Sequence, residues 1–228
     1  MSQRAQRLSA EGGLVSPRVR AQMVEGIRRR GVKDERVLAA MAAVPRHLFV
    51  EGIEPRAYEE TALPLGSEQT ISHPYTVARM IEILLDGRAS LGRTLEIGTG
   101  CGYQAAVLGQ LSTDVYSVER LAALFMKAQR NLARVPGLRI HLKHGDGREG
   151  LPVAAPFASI IVAAAVAGIA APDALQKQLA VGGRLVYPAL PTGKAEQYLY
   201  LVERKASGCT QPRLLEPARF VPLKEGVA

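Results

Sequence analysis

The stretch Thr94-Leu-Glu-Ile-Gly-Thr-Gly-Cys-Gly-Tyr103 constrains the fold more than any other part of the chain. An apolar run from Thr94 to Ile97 predicts a buried strand, glycines at 98, 100 and 102 break it, and a helical run follows from Tyr103 to Leu111. Glycines at a strand-to-helix turn let the backbone bend tightly and let a ligand come close to it. The unpaired amides opening the next helix carry partial positive charge and suit an electron-rich ligand group.

The spacing is G-x-G-x-G, and Tyr103 stands where a dinucleotide-type turn needs its third glycine. Glu96 lies inside the strand, where a carboxylate is costly unless it meets a cation or donors. A cofactor carrying an ammonium and a sulfonium supplies such a cation; a nicotinamide dinucleotide does not. Glu119 ends the next strand-like run, Asp114 to Glu119, about 20 residues beyond the glycines, where an acid accepts both ribose hydroxyls. Glu96, Gly98, Thr99, Gly100 and Glu119 are therefore the expected cofactor residues. Asp146 and Gly147, after a third strand, join them, with Asp146 facing an adenine ring.

At 228 residues the chain predicts one domain with a real core. A mobile tail at 1–16 precedes a helical, substrate-facing segment (17–90) and a cofactor-binding sheet (91–228). The net charge of +8 hints at an anionic partner or serves solubility. Cys101 and Cys209 make no disulfide framework, and the four histidines at 47, 73, 141 and 144 lack metal-ligand spacing. The longest apolar stretch, Ile160 to Ala171, is too short to span a bilayer. With no apolar signal core at the N-terminus, a soluble, cytoplasmic protein is expected, with no membrane or stable nucleic-acid partner and as a monomer.

Ser16-Pro17 predicts a helix start, with a stop at Arg28-Arg29-Arg30-Gly31, whose arginines are read as complementing the helix dipole in preference to forming an anion-binding patch. Asp34 caps a second helix ending at Pro45. Tyr58 to Tyr75 is expected as a long irregular connection, a kind of segment often functional. It leads into an amphipathic helix carrying Val77, Met80, Ile81, Leu84 and Leu85 on one face. Ser72, just before Pro74, is also a natural cap for that helix. Further strands are expected at 138–141, 160–164 and 181–186, with a helix at 172–180 and an antiparallel meander near the C-terminus. The fold class is α/β: a doubly wound, mainly parallel sheet with ligand at the carboxyl ends of its central strands.

Leu95 to Tyr103, Val118-Glu119, Gly145-Asp-Gly147 and Gly182-Gly183 together resemble the motif series of class I S-adenosylmethionine-dependent methyltransferases. Val44-Pro-Arg-His-Leu-Phe49, Ala57-Tyr58, Leu63-Pro64, Gln69 to Tyr75 and Phe220-Val-Pro-Leu223 are similar to signatures of the protein-L-isoaspartate O-methyltransferase family. The resemblance covers roughly 18–226 and implies S-adenosyl-L-methionine as cofactor. It also implies methyl transfer to the α-carboxyl of isoaspartyl residues in damaged proteins, which initiates repair. Ser72 would be the active-site serine, with Thr70 and Ile71 beside the acceptor. The chain departs from the family pattern at Ala158, usually aspartate, at Ala163, usually threonine, and within Gly66-Ser-Glu68, where a histidine is often found. These changes bear on hydrogen bonding at the acceptor side and leave the cofactor residues untouched.

Two other readings remain open from sequence. One is a methyltransferase of the same fold acting on nucleic acid or another small acceptor. Against it, Val162 to Val166 lacks the amide, carboxylate and aromatic groups that hold an amine, and no aromatics are interleaved with the basic residues. The other is a non-enzymatic module that binds the cofactor and recognises damaged proteins.

Overall fold

The computed structural model describes residues 15–66 and 68–228. All of the expected mobile tail except Val15 and Ser16 lies outside the described residues, as does Ser67. The chain opens with α1 (Pro17–Arg29) and α2 (Glu35–Ala43), capped by Ser16 and Asp34 side chains as their spacing predicted. A hairpin, β1 (Leu63–Gly66) and β2 (Gln69–Ile71), precedes α3 (Pro74–Leu85). Then follow β3 (Gly92–Ile97), α4 (Tyr103–Gly109), β4 (Ser112–Glu119), α5 (Ala122–Leu132), β5 (Ile140–His144) and β6 (Phe157–Val162). The last elements are β7 (Val166–Ala167), α6 (Asp173–Lys177), β8 (Leu179–Leu190), β9 (Gln197–Lys205), β10 (Gly208–Cys209) and β11 (Arg213–Ala218).

In space the strands run β10-β9-β8-β6-β3-β4-β5, with β11 beside β9 and β7 beside β8. From β5 to β8 every pairing along that path is parallel; β9 is antiparallel to β8, β10 and β11, which forms the expected meander. The chain moves outward from β3 through β4 to β5, then returns to the other side of β3 at β6. That reversal opens a crevice at the carboxyl ends of β3 and β6.

Both sheet faces are covered, so β3 and β6 are buried along most of their length, and their few polar side chains are buried with the rest. In β6, Ile161 packs with Val77, Ile81 and Leu84 of α3 on one face, while Ile160 and Val162 join Leu175 and Tyr187 on the other. Among the described residues no helix is long and apolar enough to cross a membrane.

Three expectations are corrected. The helix expected at 172–180 is one short turn, because Leu179 already pairs with Phe157 at the start of β8. The third strand lies at 140–144 rather than 138–141, its register set by Val115 against Ile140 and Glu119 against His144. The 58–75 connection is not irregular throughout: Leu63 pairs with Ile71 and Pro64 with Thr70 in the hairpin.

The glycine turn keeps its three glycines at φ of +88°, +57° and +90° for positions 98, 100 and 102. Gly102 caps α4 in the left-handed region, and a methyl group there would meet Leu132 Cγ at 3.1 Å. Gly102→Ala is expected to destabilise the fold by about 1–2 kcal/mol through left-handed strain and that contact. The measurement is urea unfolding at constant m-value; an unchanged midpoint would show that the turn relaxes freely.

Candidate active site

The crevice has a volume of about 890 Å³. Its floor is the glycine turn (Gly98 to Cys101), one wall is the end of β4 (Val118, Glu119), and its cover comes from the hairpin and from Phe220 to Leu223. Leu65 reaches over the turn, 3.7 Å from where a Cβ on Gly100 would stand. The C-terminal cover is fastened by two backbone bonds between Ala165 and the 221–223 segment, at 2.7 and 2.8 Å. Thr70, Ile71 and Ser72 thus share one cavity with Gly98, Thr99, Gly100, Glu119 and Gly147.

Glu119 ends β4 and is a buried residue, 5% exposed. Its Oε2 accepts the Gly100 amide at 2.8 Å and its Oε1 the Leu121 amide at 2.9 Å. Each oxygen keeps a further acceptor site, so the group is fixed by backbone yet free to take two more hydroxyl donors. This is the geometry a ribose diol needs, above a turn cleared of side chains by glycine.

Glu96 is placed differently from the sequence expectation. The expected direct meeting with a cofactor cation is not what the strand geometry gives: the side chain is fully buried and lies outside the crevice lining. Ser117 donates its hydroxyl to Glu96 Oε2, and Gln104 Nε2 donates to Oε1 at 3.0 Å. Thr99 continues the chain, with its hydroxyl 2.6 Å from Ser117. Burial pushes the Glu96 carboxyl up to about 8, against the two donors that hold it down. The network ends at the crevice in Thr99 and Gln104, and Gln104 Oε1 is buried with no partner among the described residues. An orphaned acceptor in a cavity wall fits a ligand donor. Gln104 is a residue that sequence reasoning missed.

At the acceptor corner, Ser72 is half-buried and lines the crevice, and no hydrogen bond to its hydroxyl is formed by the described residues. It is not the cap of α3: His73 is, with Nδ1 accepting the Tyr75 amide at 3.0 Å. Burial, followed by the Arg30 charge beside it, holds the His73 imidazole below its ordinary pKa. Thr70 is exposed and Ile71 is buried in the main core, so Ile71 faces the crevice chiefly as backbone and anchor.

Arg46 secures this corner from beneath. Its fully buried guanidinium donates to Ala57 O and to Ser72 O, both at 2.8 Å, and lies 4.6 Å over the Tyr103 ring. The acceptor corner and the first residue of α4 are therefore tied through one cation. Arg30, expected to complement the α1 dipole in preference to forming an anion-binding patch, reaches the mouth of the crevice. It lies 4.5 Å over Tyr75 and 3.3 Å from His73 Nε2.

Of the Gly145–Gly147 turn, Gly147 lines the crevice, but Asp146, expected to face an adenine ring, does not. Its oxygens accept the amides of Arg148 at 2.8 Å and Gly226 at 2.6 Å, fastening the C-terminus to the sheet edge. The two alanine departures also separate. Ala163 lines the crevice beside Gly98, whereas Ala158 packs against Gly92 away from it. Arg120, Arg219, Lys224 and Arg30 outnumber Glu119 and Glu216 around the cavity, a field that favours anionic groups.

A doubly wound sheet with a glycine turn, an acid closing the next strand and a covered switch-point crevice is the architecture of the class I methyltransferase fold. Residues 18–228 match the family model described as protein-L-isoaspartate(D-aspartate) O-methyltransferase. The chain belongs to that family. It is 58% identical over 215 residues to the protein-L-isoaspartate O-methyltransferase of Dechloromonas aromatica, covering 94% of this chain and 97% of that one. It is 56% identical over 217 residues to that of Burkholderia cenocepacia, covering 94% and 68%. Among solved structures, a protein-L-isoaspartate O-methyltransferase superposes with TM-score 0.80 at 27% identity, over 91% of this chain and 67% of that one. A Plasmodium falciparum member, solved with S-adenosyl-L-homocysteine, gives 0.77 at 24% identity over 90% and 98%.

Proposed function

We infer that the protein transfers the methyl group of S-adenosyl-L-methionine to the α-carboxyl of L-isoaspartyl residues in damaged proteins, initiating their repair. The observation carrying this reading is the folding of the Thr70–Ser72 corner over the glycine turn, within one covered crevice. Family membership supports it independently. The crevice fits the cofactor: Glu119 would accept the ribose hydroxyls, Gly98 and Gly100 leave room for close approach, and Gln104 Oε1 would accept from the ammonium. When bound, the cofactor supplies an electrophilic sulfonium methyl.

The acceptor carboxyl is already ionised at neutral pH and attacks without a general base. The chain's own residues therefore need only to position it and exclude water. The basic rim draws the carboxylate in, the hairpin and the Phe220–Leu223 cover shut out solvent, and the Ser72 hydroxyl donates to one carboxylate oxygen. Arg46 holds the Ser72 backbone carbonyl, which fixes the point from which this hydroxyl extends. The amine-acceptor reading finds no support at Ala163, Ala164 and Ala165, which offer no side-chain polar atom. We place the enzyme in the cytoplasm and acting as a monomer.

The test is methyl transfer to paired peptides carrying normal aspartate or isoaspartate, with methanol release in mild base as the signature of an ester. Only the isoaspartyl peptide is expected to turn over. Ser72→Ala is expected to lower kcat/KM on it by roughly 10-fold to 30-fold, the value of one hydrogen bond to a charged acceptor, with the melting temperature unchanged. Full turnover in Ser72→Ala would remove Ser72 from the mechanism.

A further inference from the structure

The crevice does not end at Ser72. At Arg30, Tyr75 and Glu216, which line both spaces, it opens into a second groove of about 610 Å³. This groove runs between the turn after α1 (Gly31, Lys33, Asp34), the outer side of α3 (Arg79, Glu82, Asp86) and the start of β11 at Arg213. A polypeptide with one residue in the crevice must leave through its mouth, and this groove continues from it.

The charges of the groove fall into two groups. Three of its four acids are closely paired. Glu82 accepts the amides of Lys33 and Asp34 at 2.5 and 2.9 Å and pairs with Arg79 at 2.7 Å. Glu216 takes Arg79 Nε at 3.0 Å and the Tyr75 hydroxyl at 3.3 Å. Asp34 is paired with Arg36, and Asp86 faces Arg184 at 3.9 Å. Arg79 is shared between two of these acids. Lys33 and Arg213 are exposed and make no ion pair among the described residues. Arg30 at the junction meets a carboxylate only at 3.8 Å, from Glu60. Asp86, exposed and 3.9 Å from its partner, is as loosely held as Arg30, so Lys33, Arg213 and Arg30 outweigh it and the uncommitted charge along the groove is mainly positive.

We propose that this groove receives the chain flanking the acceptor residue and selects an acidic side chain there, through Lys33 and Arg213 with Arg30 at the junction. The assignment rests on the carboxyl-methylation reading above and names the substrate preference of that site. Exposed, screened charges of this kind change affinity modestly and with strong salt dependence.

The experiment walks glutamate, alanine or lysine through four positions on each side of the acceptor in isoaspartyl peptides of equal length, measuring kcat/KM with the full chain. On one side of the acceptor, glutamate is expected to exceed lysine by about 3-fold to 10-fold, through KM. The preference should collapse in 0.5 M salt (~4 Å Debye length). In the double variant Lys33→Glu/Arg213→Glu it should invert, lysine peptides becoming the better substrates. A structural role for the two side chains would lower all peptides alike and could not invert a ratio. Equal turnover of glutamate and lysine peptides at every position, or a preference unchanged in the double variant, would overturn the groove assignment alone. Failure to methylate any peptide, the alanine series included, would overturn the methylation reading and the groove with it.

Discussion

Replacing Glu119 by alanine is expected to weaken S-adenosylmethionine binding by a hundredfold or more. A ribose diol donating to a fixed carboxylate makes two charge-assisted bonds, each worth about 1.5–3 kcal/mol, so their joint loss is about 3 kcal/mol or greater. Two backbone amides, those of Gly100 and Leu121, already hold the carboxylate at 2.8 and 2.9 Å. Binding therefore needs no rearrangement of this group, and its removal forfeits the whole interaction. The same amides lose their acceptor in the variant, so a stability loss of about 1–2 kcal/mol should accompany the binding defect. Glu119→Gln separates the two effects: its remaining oxygen can keep one amide satisfied while the charge is gone, so folding recovers further than cofactor affinity. Titration calorimetry with the cofactor and its demethylated product reads both variants. A dissociation constant within threefold of the parent protein in Glu119→Ala would mean that the nucleoside does not sit against β4.

The cofactor turn was readable because its determinants are local. Glycines at 98, 100 and 102 and an acid closing the following strand mark backbone geometry directly, and Glu119 stands in the crevice wall as its spacing suggested. Glu96 was misplaced for a physical reason. A strand covered on both faces carries no alternation to show which of its side chains meets an open cavity, so its carboxylate was assigned to the ligand when it faces Ser117 and Gln104. The acceptor corner was recognised from its motif, but what holds it in place was invisible. Arg46 reaches Ser72 across 26 residues and Arg30 reaches His73 across 43, pairings that no local period encodes. The hairpin escaped notice because strands of four and three residues, interrupted by Pro64 and Gly66, do not build an alternating pattern. Asp146 sits on the expected sheet edge, but its oxygens accept the amides of residues 148 and 226 and only its neighbour Gly147 lines the crevice, a distinction that no turn motif encodes.

Glu96→Gln is expected to make the protein more stable at alkaline pH while weakening its hold on the cofactor. Burial raises the folded-state pKa of Glu96 to about 8 from an ordinary value of 4.5. Below pH 4.5 folded and unfolded chains are both protonated at this site, and it has no effect on stability. Between 4.5 and 8 the unfolded chain has released the proton that the folded chain retains, so stability falls as pH rises; above 8 the loss is complete. The gap corresponds to at most ~5 kcal/mol, a ceiling because local relaxation and water entry reduce it. Glutamine removes this slope without a change of shape. Its oxygen can keep the Gln104 donor, and its amide can donate to Ser117, whose hydroxyl is free to turn toward Thr99. The two proteins should therefore have matching urea midpoints at pH 5 and diverge by pH 8.5, with the variant the more stable. Cofactor affinity should move the other way. A cation in the crevice favours ionised Glu96 through Gln104 and the Thr99–Ser117 pair, so binding to the parent protein should release protons near pH 7–8, which glutamine cannot do. Calorimetry in buffers of different ionisation enthalpy reads that release directly. Parallel pH–stability curves for the two proteins would show that the buried acid stays ionised in the empty crevice, and the coupling between its proton and the cofactor would be lost with them.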